Sequence, residues 1–321
     1  MIIEDFPLNA LEFDERFCSE EACRQYLMKI RWPGGFRCPK CSGTRAWESS
    51  RHLMICSACA HAVSLTAGTV MHGSHKPLRM WFIAMWWICT QKTGGSAKGL
   101  QRLLGLRSYQ TAWAWLQKLR RAMIRAGREP LSGKIEIDET FLGDDERVEK
   151  GRGTASKAKV VVAVEVRADG RGILGRVRLK HITNVAQADL VPFVVENVVP
   201  GSIIITDGAE GYAPLYDHGF DHIARVIGSD TKRAVKLLPN VHRVISLLKR
   251  WLLGTHQGAV SAKHLQHYLD EFAFRQNRRK VRYVGKIFYR MLQGASTTAV
   301  TPYWRLVNRN APNQPLSRRQ T

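Results

Sequence analysis

Ile135-Glu136-Ile137-Asp138-Glu139-Thr140-Phe141-Leu142 is the stretch on which the fold turns. Side chains of an extended strand alternate between two faces, so Glu136, Asp138 and Thr140 share one face and Ile135, Ile137 and Phe141 the other. A carboxylate in so apolar a run is costly unless it is paired or bound to a metal ion. Downstream, residues 159–167 read as a second strand and 175–181, alternating apolar and basic, as a third. Residues 186–198 form an amphipathic helix. Ser202-Ile-Ile-Ile-Thr-Asp207 is an apolar run that ends in an acid, as a buried parallel strand does. Residues 222–227 supply a fifth strand. This order predicts an α/β layer built on a mixed five-stranded sheet with flanking helices.

Asp207 falls at the carboxyl end of its strand, where ligands gather in such sheets. Two carboxylates brought together on adjacent strands repel, and a divalent cation resolves the conflict. Hard oxygen ligands with open positions suit Mg²⁺, and a pair of ions about 3.5–4 Å apart serves phosphoryl transfer. The same residues would also suit a salt-bridged strand aspartate and a turn at Asp207-Gly208. The next helix, residues 239–253, carries an apolar stripe of Val241, Val244, Ile245, Leu248 and Leu252. His242 and Lys249 are seven residues apart and project in nearly the same direction. One can sit at a metal while the other reaches a phosphate, although a lone helical histidine also suits an ordinary surface position.

Charge extends the reading beyond this layer. The 321 residues are 45% hydrophobic and 24% charged, a globular composition long enough for two or three domains, yet the net charge is +22. Such an excess points to a polyanionic partner, nucleic acid before an anionic membrane. It is also unevenly spread. Residues 1–30 carry −4, 31–130 carry +14, 131–230 carry −4, 231–290 carry +12 and 291–321 carry +4. Two basic blocks therefore flank the acidic layer that holds Asp138 and Asp207. The most apolar run, residues 80–89, is shorter than the roughly 20 residues that cross a bilayer, so no membrane partner is expected. The acidic start, Met1-Ile-Ile-Glu-Asp-Phe, lacks the features of a signal peptide, and the cytoplasm is the expected location.

Seven cysteines, an odd number, suit a reducing compartment. Cys38-x2-Cys41 and Cys56-x2-Cys59, with fourteen residues between them, have zinc-ribbon spacing. A ribbon this small has almost no core, so zinc would supply much of its folding energy. Residues 77–127 read as helices. A short one at 97–104, a turn at Gly105 and a third helix capped by Ser108 resemble a helix-turn-helix, although many helical bundles share the pattern. Lys118, Arg120, Arg121 and Arg125 on the third helix are its candidate DNA contacts. Lys232, Arg233, Lys236, Arg250, Arg275, Arg278, Arg279 and Lys280 are those of the second basic block. The expected organisation is an acidic helical segment (1–30), a zinc ribbon (31–75), a helix-turn-helix region (76–130), the α/β domain (131–295) and a mobile basic tail (296–321).

Several blocks, in order over roughly residues 15–295, resemble the bacterial insertion-sequence transposases with a zinc ribbon and a DDE-type domain (family fifteen-ninety-five, ISXO-like group). They are Cys38-Pro-Lys-Cys41, Cys56-Ser-Ala-Cys59, Thr66-Ala-Gly-Thr, Pro77-Leu-Arg-Met-Trp81, Thr111-Ala-Trp and Glu136-Ile-Asp-Glu-Thr-Phe-Leu-Gly143. Thr206-Asp-Gly208, Ser246-Leu-Leu-Lys-Arg250, Ser261-Ala-Lys-His-Leu and Tyr268-Leu-Asp-Glu-Phe-Ala-Phe-Arg-Gln-Asn277 complete the set. The resemblance implies an RNase H-like catalytic domain whose metal aspartates are Asp138 and Asp207. Its third ligand position lies seven residues before a lysine, here His242 before Lys249. The family usually has Glu or Asn there, so this chain reads D-D-H-K, and imidazole favours Mn²⁺ more than Mg²⁺. Glu136 or Glu139 could complete the shell instead. The implied activity is metal-dependent cleavage of DNA at terminal inverted repeats and strand transfer into target DNA, by at least a homodimer, in the bacterial cytoplasm near the nucleoid. The alternative is a catalytically inactive or domesticated DNA-binding derivative.

Overall fold

The computed structural model describes residues 4–125, 127–143, 157–167, 174–225, 236–257 and 260–308. The chain divides into two units, one of Met1–Arg125 with Val281–Thr321 and one of Ala126–Lys280.

In the first unit, α1 (Ala10–Arg16) and α2 (Glu20–Arg31) begin at Asn9 and Ser19, whose side chains accept from the Glu12 and Ala22 amides. Three antiparallel strands follow, β1 (Ala46–Glu48), β2 (Leu53–Cys56) and β3 (Ala62–Ser64), in the region expected to be a ribbon. Helix α3 (Leu78–Thr90) buries Leu78, Trp81, Phe82, Ala84, Met85, Trp86, Ile88 and Cys89, which explains its nearly unbroken apolar sequence. Helices α4 (Ala97–Leu103) and α5 (Tyr109–Ala122) are capped by Ser96 and Ser108. The turn between them holds Gly105 at φ +60°, a backbone conformation that favours glycine.

In the second unit, β4 (Lys134–Leu142), β5 (Ala158–Val166) and β6 (Leu174–Ile182) form an antiparallel set. Helix α6 (Gln187–Asn197) leads to β7 (Ile203–Thr206), a 3₁₀ segment at Glu210–His218 and β8 (Asp221–Ala224). The order is β6-β5-β4-β7-β8, with β7 parallel to β4 and β8 parallel to β7. Helices α7 (Pro239–His256) and α8 (Ala262–Arg278) complete the unit. On β5, Val160, Val162 and Val164 pack with Val241, Val244, Leu248 and Leu269 of α7 and α8. Val161 and Ala163 face the opposite layer, with Leu190, Phe193, Val194 and Tyr212. Both faces of the sheet are covered, and the central β5 and β7 are accordingly apolar without alternation. This is the expected RNase H-like mixed sheet.

One boundary differs from the expectation, which places residues 281–295 in the α/β domain and 296–321 in a mobile tail. Instead, α9 (Val284–Thr297) and α10 (Tyr303–Val307) belong to the first unit, and Ser296, Thr301 and Leu306 are buried. Phe288 of α9 packs edge-on against Phe13, Phe82 and Trp86. Close approach needs two glycines. A Cβ on Gly294 would lie 2.0 Å from the Ala122 carbonyl oxygen, and one on Gly285 would lie 1.6 Å from that of Pro7. Amphipathic spacing shows that a helix has a buried face, but not which distant segment covers it.

Candidate active site and metal centre

The ribbon turns present four thiols to a single point. Ser42 and Ala60 adopt left-handed φ values of 61° and 55°, and their amides donate to the Cys38 and Cys56 carbonyls. The Cys38 and Cys59 sulfurs are 3.7 Å apart and those of Cys41 and Cys56 3.5 Å. All four ligand atoms lie within 4.8 Å of one another. A Cβ on Gly43 would come to 3.2 Å from Cys56 Sγ, so the knuckle leaves no room for a side chain. Burial raises the Cys38 thiol, but the Cys41 and Lys40 amides outweigh it and bring it down to about 7. The Ala58 amide likewise lowers Cys56. Thiolates crowded this closely suit tetrahedral Zn²⁺.

In the second unit, β4 and β7 are paired with Glu136 opposite Ile205. Continuing that parallel register two residues brings Asp138 beside Asp207. Asp207 is held in a short turn: its Oδ1 accepts from the Ala209 amide at 3.0 Å, and Gly208 takes φ +88°. Thr206 Oγ1 sits 2.9 Å from His222 Nε2 and accepts from the Gly208 amide, which braces the strand end.

Glu136 shows how α7 is aimed at this point. It is 3% exposed. Its carboxylate accepts from the Asn240 amide at 2.7 Å, the Val241 amide at 2.9 Å and the Asn240 side chain at 2.7 Å. A buried carboxylate thus satisfies the free amides of the first turn of α7 and complements its dipole. Two residues further along each element, Asp138 meets His242: Asp138 Oδ2 and His242 Nε2 are 3.6 Å apart. Glu136 therefore cannot serve as the spare metal ligand of the sequence reading, because its oxygens are committed to the helix. Nothing in the sequence signals a cap contributed from 104 residues upstream. We expect Glu136→Gln, which weakens the acceptor and adds a donor facing amides, to cost about 2 kcal/mol of stability, measured by chemical denaturation.

His242 Nε2 is buried and has no hydrogen-bond partner. Burial raises the Asp138 carboxyl to about 6; His242, the Glu139 amide and Lys249 pull it down, and Asp207 pushes it up. Burial likewise raises Glu139, to about 7, although the Tyr212 hydroxyl donates to it. Tyr212 is fully buried, and no motif in the sequence marks it as part of the site. An orphaned imidazole nitrogen facing desolvated carboxylates fits a divalent cation well. The arrangement is more open than the ribbon site: among the described residues, only the four cysteines form a group of three or more such ligand atoms within 4.8 Å. Lys249 lines a cavity of about 320 Å³ with Phe141, Leu142, Lys157 and Leu253.

The expected DNA contacts separate on inspection. Arg120 departs from the expectation, because it is 2% exposed and donates to the Gly95 carbonyl at 3.2 Å. Lys118 and Arg121 are half-buried and Arg125 is exposed. Arg275 is committed to the buried Glu271 at 2.8 Å, Arg278 lies over the Phe274 ring, and Arg279 donates to the Leu174 and Gln276 carbonyls. Lys236, Lys249, Arg250 and Lys280 are exposed. Lys232 and Arg233 lie outside the described residues.

A four-cysteine ribbon and an RNase H-like sheet with one aspartate within β4 and a second just past the end of β7 define the domain plan of an insertion-sequence transposase. Residues 130–277 match the ISXO2-like transposase domain, and residues 18–62 match the transposase zinc-ribbon domain. These two segments carry the similarity of the chain to this transposase family. The chain is also 28% identical over 280 residues to an uncharacterized protein in transposable element ISH50 of Halobacterium salinarum, covering 81% of this chain and 92% of that protein. Among the described residues, no helix is long and apolar enough to cross a membrane.

Proposed function

We propose that this chain cleaves DNA at the terminal inverted repeats of its element and joins the freed ends to target DNA. Asp138, Asp207 and His242 hold Mg²⁺ or Mn²⁺, and Cys38, Cys41, Cys56 and Cys59 hold structural zinc. The observation that carries the reading is the buried, unpartnered His242 Nε2 facing Asp138, in a chain similar to this family. Bound divalent ions would supply nucleophile activation and charge neutralisation for phosphoryl transfer. In cleavage, a water oxygen forms the new bond to phosphorus, the bridging P–O3′ bond breaks, and the leaving oxygen ends as a 3′-hydroxyl. In joining, that hydroxyl oxygen forms a new bond to a target phosphorus, the target's own P–O3′ bond breaks, and the displaced oxygen leaves as a 3′-hydroxyl. Glu136 holds α7 in place so that His242 faces Asp138. Lys249 meets the neighbouring phosphate as a point charge. Lys236, Arg250 and Lys280 are free to contact the DNA backbone. Two ends react together, so the working form is a homodimer or larger assembly on DNA, in the cytoplasm at the nucleoid.

The test is strand cleavage and joining on a duplex carrying the element's terminal sequence, with Mg²⁺ or Mn²⁺. We expect wild type to act with both metals and more strongly with Mn²⁺, and His242→Ala to lose most of its activity. Full activity in His242→Ala would remove the histidine from the metal shell. A wild-type protein inert with both metals would leave only DNA binding.

A further inference from the structure

Helix α5 is the expected DNA-reading helix, yet eight of its fourteen residues are buried. It packs against α4 and α9, and Trp115 stacks on Trp81 of α3 with ring centroids 3.7 Å apart. A helix can enter a major groove about 12 Å wide only along a side that its own protein leaves open. The C-terminal half of α5 has no fully exposed residue: Arg120 points inward, Lys118 and Arg121 are half-buried, and burial lowers the pKa of Lys118.

The open surface lies at the other end. Lys98 and Arg102 on α4, Arg107 in the turn, and Tyr109 and Gln110 at the start of α5 are all exposed. No acidic residue occurs between positions 91 and 111, so every charge this segment brings to the surface is positive. It is also rigid. Gln101 donates to the Leu106 and Arg107 carbonyls at 3.1 and 3.3 Å and so fixes the turn. The Ser108 hydroxyl donates to Gln110 Oε1 at 2.8 Å, which leaves the amide nitrogen of this exposed side chain available as a donor. Glutamine and arginine are the side chains that read purine edges in the major groove, and side chains held in advance lose less entropy on binding.

We propose that the α4–α5 turn and the first turn of α5 form the sequence-reading surface of the helical region for duplex DNA. Arg107 and Gln110 face base edges, and Lys98 and Arg102 lie on flanking phosphates. This rests on the reading of the chain as a transposase that recognises particular DNA ends, and it moves the contact away from the basic stripe at Lys118–Arg125.

The experiment is selection from a random-sequence duplex library with the full chain, followed by binding of the enriched duplex and a scrambled one. Wild type is expected to enrich a motif. In Arg107→Ala/Gln110→Ala, preference for the motif should fall about tenfold or more while binding to the scrambled duplex changes little. Lys98→Ala/Arg102→Ala should weaken both duplexes alike and reduce the salt slope by about one per residue. If truncation at Gln110 lowers the melting temperature, Gln110→Glu keeps the Ser108 contact and should still change the motif. If wild type enriches no motif, the reading of the chain as an end-recognising transposase fails, and this surface with it. If wild type enriches a motif that Arg107→Ala/Gln110→Ala retains in full, or that Arg125→Ala alone abolishes, only the surface assignment is overturned.

Discussion

Asp138→Asn should give a protein that folds, binds DNA and does not cut it. A divalent ion contributes several kcal/mol to the stabilisation of a phosphoryl-transfer transition state, and each 1.36 kcal/mol is a factor of ten in rate. Loss of a direct ligand should therefore reduce strand cleavage by roughly a thousandfold or more. Stability should move the other way or not at all. Burial and the neighbouring Asp207 both disfavour the ionised Asp138, so the metal-free fold gains nothing from its charge. A neutral amide of the same shape removes the repulsion. The diagnostic combination is near-zero cleavage, an unchanged or raised melting temperature without metal, and a smaller stabilisation by added Mn²⁺. Cleavage at wild-type rate in this variant would remove Asp138 from the metal site. An equal loss of DNA binding would mean that its role lies outside the chemistry.

Removing zinc should unfold the ribbon while leaving the RNase H-like sheet intact. The ribbon's strands are three or four residues long. Between residues 38 and 65, the buried apolar side chains are Cys38, Cys56, Val63 and Leu65, and two of these are proposed ligands. So small a core cannot offset the conformational entropy of ordering the loop, whereas structural zinc supplies about 10 kcal/mol or more in comparable modules. Cys56→Ser, or a strong chelator, should therefore abolish one zinc equivalent per chain, measured by metal analysis. It should also expose the segment around Arg37–Arg51 to rapid proteolysis, while fragments covering β4 to α8 remain protected. Persistence of a protease-resistant ribbon without metal would show that its packing is sufficient.

Much of the α/β layer is legible in the amino-acid sequence. The alternation of Ile135, Ile137 and the charged residues between them places Asp138 on the correct face of β4, and the apolar run ending in Asp207 reads as a buried strand. Both signals are local, because a two-residue period survives in the chain whatever surrounds it. The cysteine spacing is equally local, since each pair closes its own turn. His242 is harder to read, because a lone histidine on a helix has several uses. Only the seven-residue step to Lys249 and the family resemblance mark it out, and the burial of its Nε2 without a hydrogen bond comes from the tertiary structure.

The remaining features depend on contacts between distant segments. Glu136 reads as a reserve ligand because it shares a face with Asp138, but it caps α7. Tyr212 reaches Glu139 from a segment with no motif of its own. Arg120 sits in a basic run that suggests a DNA-facing stripe, but it is turned into the bundle toward Gly95. The helix at Val284–Thr297 returns to the first unit because two glycines let it nest against Pro7 and Ala122. By itself, then, the sequence determined the four-cysteine spacing, the five strands in their succession along the chain, the face of β4 on which Asp138 lies and the place of Asp207 at a strand end, all of which rest on short spacings. Only the tertiary structure decided which carboxylate anchors the helix, which cations are buried and where the last helices pack. Those outcomes depend on which partner competes best for each polar group or apolar face among segments 25 to more than a hundred residues apart.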